Sequence, residues 1–272
     1  MTRDPNTLGT CRLFVWNFDF FFLLQIWYDQ KFLEKLGLTL AILGALSQSL
    51  AILMEWIALK HFPVLNIHEA LGTFAVLMIG FFLVFQWKWR LRGFGFFSSA
   101  LAFLSTLISY AYPSAVLNAP TPELSGALLA VHVTIILASF GLFGLAFSTS
   151  ISYLIQDYLL HKKHSIKLSK KLPSLLLLDS ITNHLVTIGF ILLTIGMALG
   201  SIWANRWWGS WWNWNPKEKL ALFTWIIYAI YIHARTLTGE KGKKLAVLII
   251  AGFALVIFTF LASNLLPGSV HP

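Results

Sequence analysis

The sequence has little charge and almost no cysteine. Only 11% of its 272 residues are charged and Cys11 is its one thiol, whereas a soluble domain carries about 25% charged residues. A single cysteine forms no intrachain disulfide and no Cys-x-x-Cys pair, which argues against a dithiol oxidoreductase. The first residues also lack the layout of a cleavable signal peptide. The chain is 57% hydrophobic with a mean hydropathy of +0.73, as expected of a polytopic membrane protein.

Long apolar runs divide the chain into candidate membrane spans, because a spanning helix needs about 20 apolar residues. Seven spans are predicted, at 38–59, 70–87, 94–112, 126–158, 181–203, 219–236 and 245–266. A shorter aromatic run at 13–28 carries Asp19 and is either an eighth span or an interfacial helix, and we favour a span. The sequence therefore predicts an all-α fold, a polytopic transmembrane helix bundle.

The uneven distribution of basic residues between the loops predicts the orientation in the membrane. Twelve of the twenty Lys and Arg residues lie in the loops 88–92, 161–171 and 235–244. Basic loops stay on the cytoplasmic side, so we expect these three loops there. The loop 204–218 and the tail 267–272 are then on the outer side. The net charge of +9 is explained by this topology, and no nucleic-acid partner is expected.

The loop 204–218 is unusually rich in tryptophan for a polar segment. Six of the twelve tryptophans lie between Trp203 and Trp214, among Asn, Gly, Ser and Pro. They form either an aromatic belt at the lipid headgroups or a surface on which a planar ligand such as a porphyrin stacks. Arg206 and Lys217 meet either the propionates of that ligand or lipid headgroups. The clustering favours a ligand surface, because belts are dispersed over many helix ends.

Three of the eight histidines are candidate iron ligands, since neutral imidazole commonly binds haem. His132 begins a helix on the predicted outer side, and His271 is the penultimate residue on the same side, so the two can approach one iron from opposite faces. His233 lies inside a predicted span, where an ionisable residue is either a ligand or a helix–helix hydrogen-bonding group. Structural or solvated roles are expected for His61, His68, His161, His164 and His184.

The tryptophan loop and several flanking segments resemble the CcsA family, the membrane subunit of the system II cytochrome c synthase. The stretch "RWWGSWWNWNPKEK" is similar to the family's WWD segment, WGxxWxWDPKE, and "HFPVLNIHEAL" is similar to HFPxSNLYESL. Similar pieces include "LLAVHVTIILASFGLF" and "SNLLPGSVH". The resemblance runs from about residue 52 to the C-terminus. It implies a poorly matching region 1–37 and a CcsA-like transmembrane haem-handling domain over 38–272.

The resemblance also implies which residues contact haem. Those that fall on the WWD segment include Trp208, Trp212, Trp214 and Lys217. His132 and His271 fall on the family's two outer histidines, which are axial ligands of haem held at that segment. His233 falls on the intramembrane histidine, which ligates haem opposite a histidine of the CcsB (or ResB) partner.

The function implied by the resemblance is cytochrome c biogenesis. Haem b is held at the periplasmic or lumenal face of a bacterial inner membrane or thylakoid membrane. It is then attached covalently to the CxxCH site of an apocytochrome c by the synthase of which this chain is a subunit. No catalytic side chain is implied.

A second interpretation is a HemX-like membrane protein that regulates haem synthesis without acting on cytochromes. Two departures from the CcsA pattern favour it: Asn215 stands where that family usually has Asp, and the chain ends one residue after His271. A transporter for another substrate fits less well, because no internal repeat is visible.

Overall fold

The computed structural model describes residues 31–89, 95–111, 126–162 and 172–265. Regular structure within these ranges is entirely helical, which confirms the predicted all-α helix bundle. The helices are α1 Lys31–Leu59, α2 Ile67–Trp89, α3 Gly95–Ala111, α4 Ala127–Lys162, α5 Leu175–Trp208, α6 Pro216–Leu237 and α7 Lys243–Leu265. The predicted span 13–28, most of region 1–37, His164 and His271 lie outside the described residues.

Each of these helices coincides with a predicted span, although their lengths differ widely. Six of them are long and apolar enough to cross a membrane. Helix α3 has 17 residues, which cover about 26 Å, slightly less than a hydrocarbon core of about 30 Å. Helix α4 has 36 residues and α5 has 34, so each exceeds about 50 Å and extends beyond the hydrocarbon core.

The helices form two compact units, one of α1–α3 and one of α4–α7. In the first unit α2 packs against both α1 and α3. His68 of α2 donates from Nδ1 to the Ser109 carbonyl of α3 at 2.7 Å, and its Nε2 lies 3.3 Å from the Glu55 carboxylate of α1. This histidine therefore joins three helices, which is the structural role expected of it.

The start of α2 is stabilised by a buried carboxylate. Asn66 Oδ1 accepts from the Glu69 N–H at 2.9 Å, and the Glu69 side chain accepts from the Leu65 N–H at 2.9 Å. This reciprocal pattern satisfies N–H groups that a helix start leaves without partners. Because its oxygens are used in this way, Glu69 is explained by local structure and is not a site candidate.

In the second unit, aromatic packing joins three helices at mid-length. The rings of Phe143 in α4 and Tyr228 in α6 are fully buried and stack with centroids 3.5 Å apart. Gly252 of α7 leaves room for the Tyr228 ring, since a Cβ there would lie 3.2 Å from Cζ. This core holds α4, α6 and α7 together, while α5 packs along α4.

An ion pair joins the ends of α5 and α6 that lie away from the tryptophan loop. Arg235 forms two bonds to the Asp179 carboxylate, at 2.6 and 3.1 Å. The Gly242 N–H also points to this carboxylate, at 3.3 Å. Both charged side chains are mostly buried, with 13% and 14% exposed. The pair therefore links the start of α5, the end of α6 and the turn into α7.

Candidate functional site

His132 lies in the second turn of α4, and its ring is held by the backbone of α5. Nδ1 donates to the carbonyl oxygen of Gly196 at 2.7 Å, and the residue is half-buried. With the proton on Nδ1, Nε2 carries the lone pair that a metal needs. Gly200 lies one turn further along α5, and a Cβ there would be 2.6 Å from His132 Cε1. The glycine is therefore what allows the ring to sit so close to α5.

Both ends of the predicted loop 204–218 are helical in the structure, because α5 continues to Trp208, eight residues after Gly200, and α6 begins at Pro216. Trp208 is the last helical residue, and Gly209 ends the helix with φ +69, its N–H bonded to the Asn205 carbonyl at 3.0 Å. A left-handed residue after a helix is most often glycine, because a Cβ disfavours that conformation. The chain thus turns away sharply as soon as α5 ends.

The loop ends in a strong helix start. Asn215 Oδ1 accepts from the Glu218 N–H at 2.8 Å, and Glu218 Oε2 accepts from the Asn213 N–H at 2.8 Å. Pro216 occupies the first helical position, where its missing N–H costs nothing. Asn and Asp cap helices about equally well. The replacement of the usual Asp by Asn215 therefore leaves this helix start intact.

The indoles of the end of α5 and of the loop differ in burial. Trp203 is buried and meets Trp208 edge to face at 4.8 Å, and Trp212 meets Trp214 in the same way at 5.8 Å. Trp214 is exposed and has φ +56, an uncommon conformation for a bulky residue that costs about 1–3 kcal/mol. Such strain is often found at binding sites.

One polar atom in the loop is buried without a partner. The Nε1–H of Trp212 has no hydrogen-bond acceptor among the described residues. A buried indole N–H usually finds an acceptor, so this donor is left unsatisfied by the described part of the chain.

Charge also connects the loop with His132. Lys217, in the first turn of α6, is close enough for its charge to act on the His132 ring. Arg206, in the last turn of α5, is exposed. The structure therefore brings His132, the tryptophans and at least one cationic side chain to the same end of the second unit.

His233 lies elsewhere, at about 26 Å along α6 from Pro216. Its side chain is exposed and falls in line with Ile230 and Leu237, which are also exposed. Among the described residues its ring makes no hydrogen bond, so the helix-packing alternative finds no support within this unit. His233 is therefore near the end of α6 opposite the tryptophan loop.

The other histidines have the expected local roles where the structure describes them. His161 is exposed and bonds the Asp157 carbonyl of its own helix at 2.8 Å. His184 is exposed and bonds the Ser180 carbonyl of its own helix at 2.8 Å. The pairing of His132 with His271 stays a prediction, since His271 lies outside the described residues.

Sequence reasoning overlooked the two glycines that seat His132. Gly196 and Gly200 are four residues apart, and this spacing of small residues is the usual sign of close helix packing in membranes. This spacing could have predicted that another helix packs closely against α5. It contained no information that a histidine would occupy that contact.

The sequence is similar to proteins of cytochrome c maturation. The family described as cytochrome C assembly protein matches residues 64–271. The chain is 31% identical over 254 residues to the cytochrome c biogenesis protein CcsA of Prochlorococcus marinus (strain NATL2A), covering 81% of this chain and 79% of that protein. It is 32% identical over 252 residues to CcsA of Mesostigma viride, with 82% and 81% covered.

A solved structure shares the fold. The cytochrome c haem lyase CcmF superposes with a TM-score of 0.67 at 14% sequence identity, over 94% of this chain and 46% of that one. The similarity therefore concerns the helical architecture, and this chain spans about half the length of CcmF.

Proposed function

The chain belongs to the cytochrome c assembly protein family, and from that premise we propose that it holds haem for cytochrome c biogenesis. In this proposal haem b is a substrate bound at the tryptophan loop, with His132 as one axial ligand of its iron and His271 as the other. Trp208, Trp212 and Trp214 supply aromatic surface for the porphyrin. Lys217 supplies a positive charge for a propionate.

One observation carries the proposal: the hydrogen bond from His132 Nδ1–H to the Gly196 carbonyl. A histidine that ligates a metal almost always donates its other ring N–H to a fixed acceptor, which sets the tautomer and the ring orientation. His132 has this arrangement at the end of the second unit that carries the partly exposed indoles. Packing alone does not require a histidine in this half-buried position next to glycine. An apolar side chain would fill the same space, and no polar atom would then need a partner.

The residues of the loop favour the binding of a large, flat, amphiphilic anion. Exposed indoles offer faces for offset stacking, the buried Trp212 N–H offers a donor, and Lys217 offers charge. Haem has a flat apolar ring and two carboxylates, so each of these features has a counterpart on it.

In the proposed reaction, the two cysteine thiols of a CxxCH apocytochrome add across the two haem vinyl groups. Each S–H adds to one C=C bond, forming one C–S and one C–H bond, and no oxidant or reductant is consumed. The chain's own side chains bind and orient haem, and none is assigned a proton transfer. The chain is in this view a subunit of a cytochrome c synthase.

The exposed position of His233 is evidence for a partner protein in the membrane. An imidazole directed at hydrocarbon is unfavourable, so ionisable residues in spans usually face protein or a cavity. We therefore propose that a CcsB/ResB-type subunit covers this face of α6, with haem ligated between the two proteins. The tryptophan loop and the tail then lie on the periplasmic or lumenal side of a bacterial inner membrane or a thylakoid membrane.

The HemX-like alternative gains nothing from the structure. Two departures favoured it: the tail after His271 lies outside the described residues, and Asn215 caps α6 as Asp would. That substitution is therefore compatible with either function and no longer favours regulation.

The proposal is tested by the absorption spectrum of the chain purified with its membrane partner. We expect bound haem in the unmodified protein, and less haem or an altered spectrum in His132→Ala. His161→Ala is the control, because that side chain is exposed at the opposite end of α4. An unchanged haem content and spectrum in His132→Ala would contradict the proposal.

A further inference from the structure

We propose that Gly196 and Gly200 of α5 are positioning residues for His132, an inference that rests on the proposed function. Gly196 provides the carbonyl that holds Nδ1, and Gly200 provides the space that the ring occupies. Together they set where Nε2 is presented. Neither glycine touches the ligand in this proposal.

The inference begins with the packing of α4 on α5. Three glycines of α5 each leave room for one side chain of α4. An added Cβ would come closer to that side chain than real Cβ atoms do, at 2.7 Å for Gly189 and Phe143, 2.5 Å for Gly196 and Ile136, and 2.6 Å for Gly200 and His132.

The contacts of Gly189 with Phe143 and of Gly196 with Ile136 are explained by helix packing alone, and only the backbone carbonyl of Gly196 concerns His132. Phe143 and Ile136 are apolar, and small residues that let helices approach closely are common in membrane bundles. The third contact differs, because it receives an imidazole. Burying half of a polar ring against a helix is favourable only when its polar atoms find partners, and the Gly196 carbonyl is such a partner.

The two glycines restrain the ring in different ways. The bond to the Gly196 carbonyl selects the tautomer and directs Nε2 away from that oxygen, since the ring nitrogens lie on opposite sides of Cε1. The absence of a side chain at Gly200 allows Cε1 to sit against the backbone. A Cβ there would be 2.6 Å from Cε1, 3.0 Å from Nδ1 and 3.2 Å from Nε2.

A methyl group at position 200 must therefore displace the ring. The ring relieves the overlap by rotating or moving outwards, and either movement lengthens the Nδ1 hydrogen bond. Nε2 moves with the ring. Loss of an outer-shell partner of this kind typically weakens metal binding about 10-fold to 100-fold, so we expect Gly200→Ala to weaken haem binding by about 10-fold or more.

Gly189→Ala is a matched control for Gly200→Ala. It adds the same methyl group to the same helix pair, at 2.7 Å from Phe143 instead of 2.6 Å from His132. Both variants disturb the packing of α4 on α5, but only Gly200→Ala touches the histidine.

The experiment compares these variants in the full chain, solubilised with its membrane partner and titrated with hemin. We expect Gly200→Ala to bind hemin about 10-fold or more weakly and to show the altered spectrum of His132→Ala. Added imidazole should restore part of the original spectrum. Gly189→Ala should keep the unmodified affinity and spectrum. Equal effects of the two glycine variants, or no effect of Gly200→Ala, would overturn the inference.

If Gly200→Ala does not accumulate as folded protein in the membrane, a double variant distinguishes a positioning role of Gly200 from a packing role. Combining it with His132→Ala removes the overlapping ring, so the double variant should accumulate and bind hemin as His132→Ala alone does. Failure of the double variant to accumulate would show that Gly200 serves packing and would overturn the inference. An unchanged spectrum in His132→Ala would instead remove the proposed function itself.

Discussion

Nδ1 of His132 lies 2.7 Å from the carbonyl oxygen of Gly196, so that a side chain of α4 is bonded to the backbone of α5. The bond joins residues 64 positions apart in the chain. Gly196 lies in the C-terminal half of α5, about 18 Å along the helix from Trp208, and the tryptophan loop follows that end of the helix. A candidate ligand, its orienting group and an aromatic surface are thus assembled on one pair of helices.

The orientation in the membrane can be tested by cysteine labelling. After Cys11 is replaced, single cysteines at Ser165 and Ser210 should react differently with an impermeant reagent in intact cells. We expect labelling at position 210 only, because the basic loop 161–171 is predicted to be cytoplasmic. Labelling at position 165 and not at 210 would reverse the topology, and the proposed outer-face chemistry would fail with it.

Replacement of His233 should separate a ligand role from a packing role. If His233 ligates haem at a partner interface, His233→Ala should lower copurified haem and cytochrome c yield together. Added imidazole should restore part of both, because it occupies the vacated iron position. His184→Ala serves as the control, since that ring is exposed and bonds the Ser180 carbonyl of its own helix. Normal haem content at normal protein levels would leave His233 without a ligand role.

Asn215 should tolerate Asp far better than Ala. Its Oδ1 caps α6 through the Glu218 N–H at 2.8 Å, and both Asn and Asp accept this bond. In thermal unfolding in detergent, Asn215→Asp should therefore keep the midpoint of the unmodified protein. Asn215→Ala should lower the midpoint, because its free energy of unfolding falls by about 1 kcal/mol. Equal losses in both variants would show that the amide nitrogen of Asn215, and not its oxygen, is the important group.

The Asp179–Arg235 pair should contribute measurably to stability. Arg235→Ala leaves a mostly buried carboxylate without its two charged hydrogen bonds, at a cost of about 1.5–3 kcal/mol. Lys244→Ala is the comparison, because Lys244 pairs with Glu240 at 3.6 Å while 85% exposed. Exposed pairs contribute about 0–1 kcal/mol. Denaturant unfolding of both variants in the same detergent would measure the difference, and similar losses would argue that the Asp179 pair is solvated.

The amino-acid sequence by itself determined the fold class and the position of the helices. A bilayer has no water to satisfy backbone groups, so each apolar run of about 20 residues must become a helix. The two ends of the tryptophan loop also depend on local sequence, because Gly209 ends α5 and Asn215 with Pro216 begins α6. These features depend on residues within a few positions of one another.

Only the tertiary structure decided how the helices are rotated about their own axes. In a soluble helix the apolar face marks the core, but in a membrane the lipid-facing side is apolar as well. Hydrophobic periodicity therefore carries little information about which face packs inwards. For that reason the sequence did not reveal that His132 meets Gly196 and Gly200, that Asp179 meets Arg235, or that His233 faces away from its own bundle.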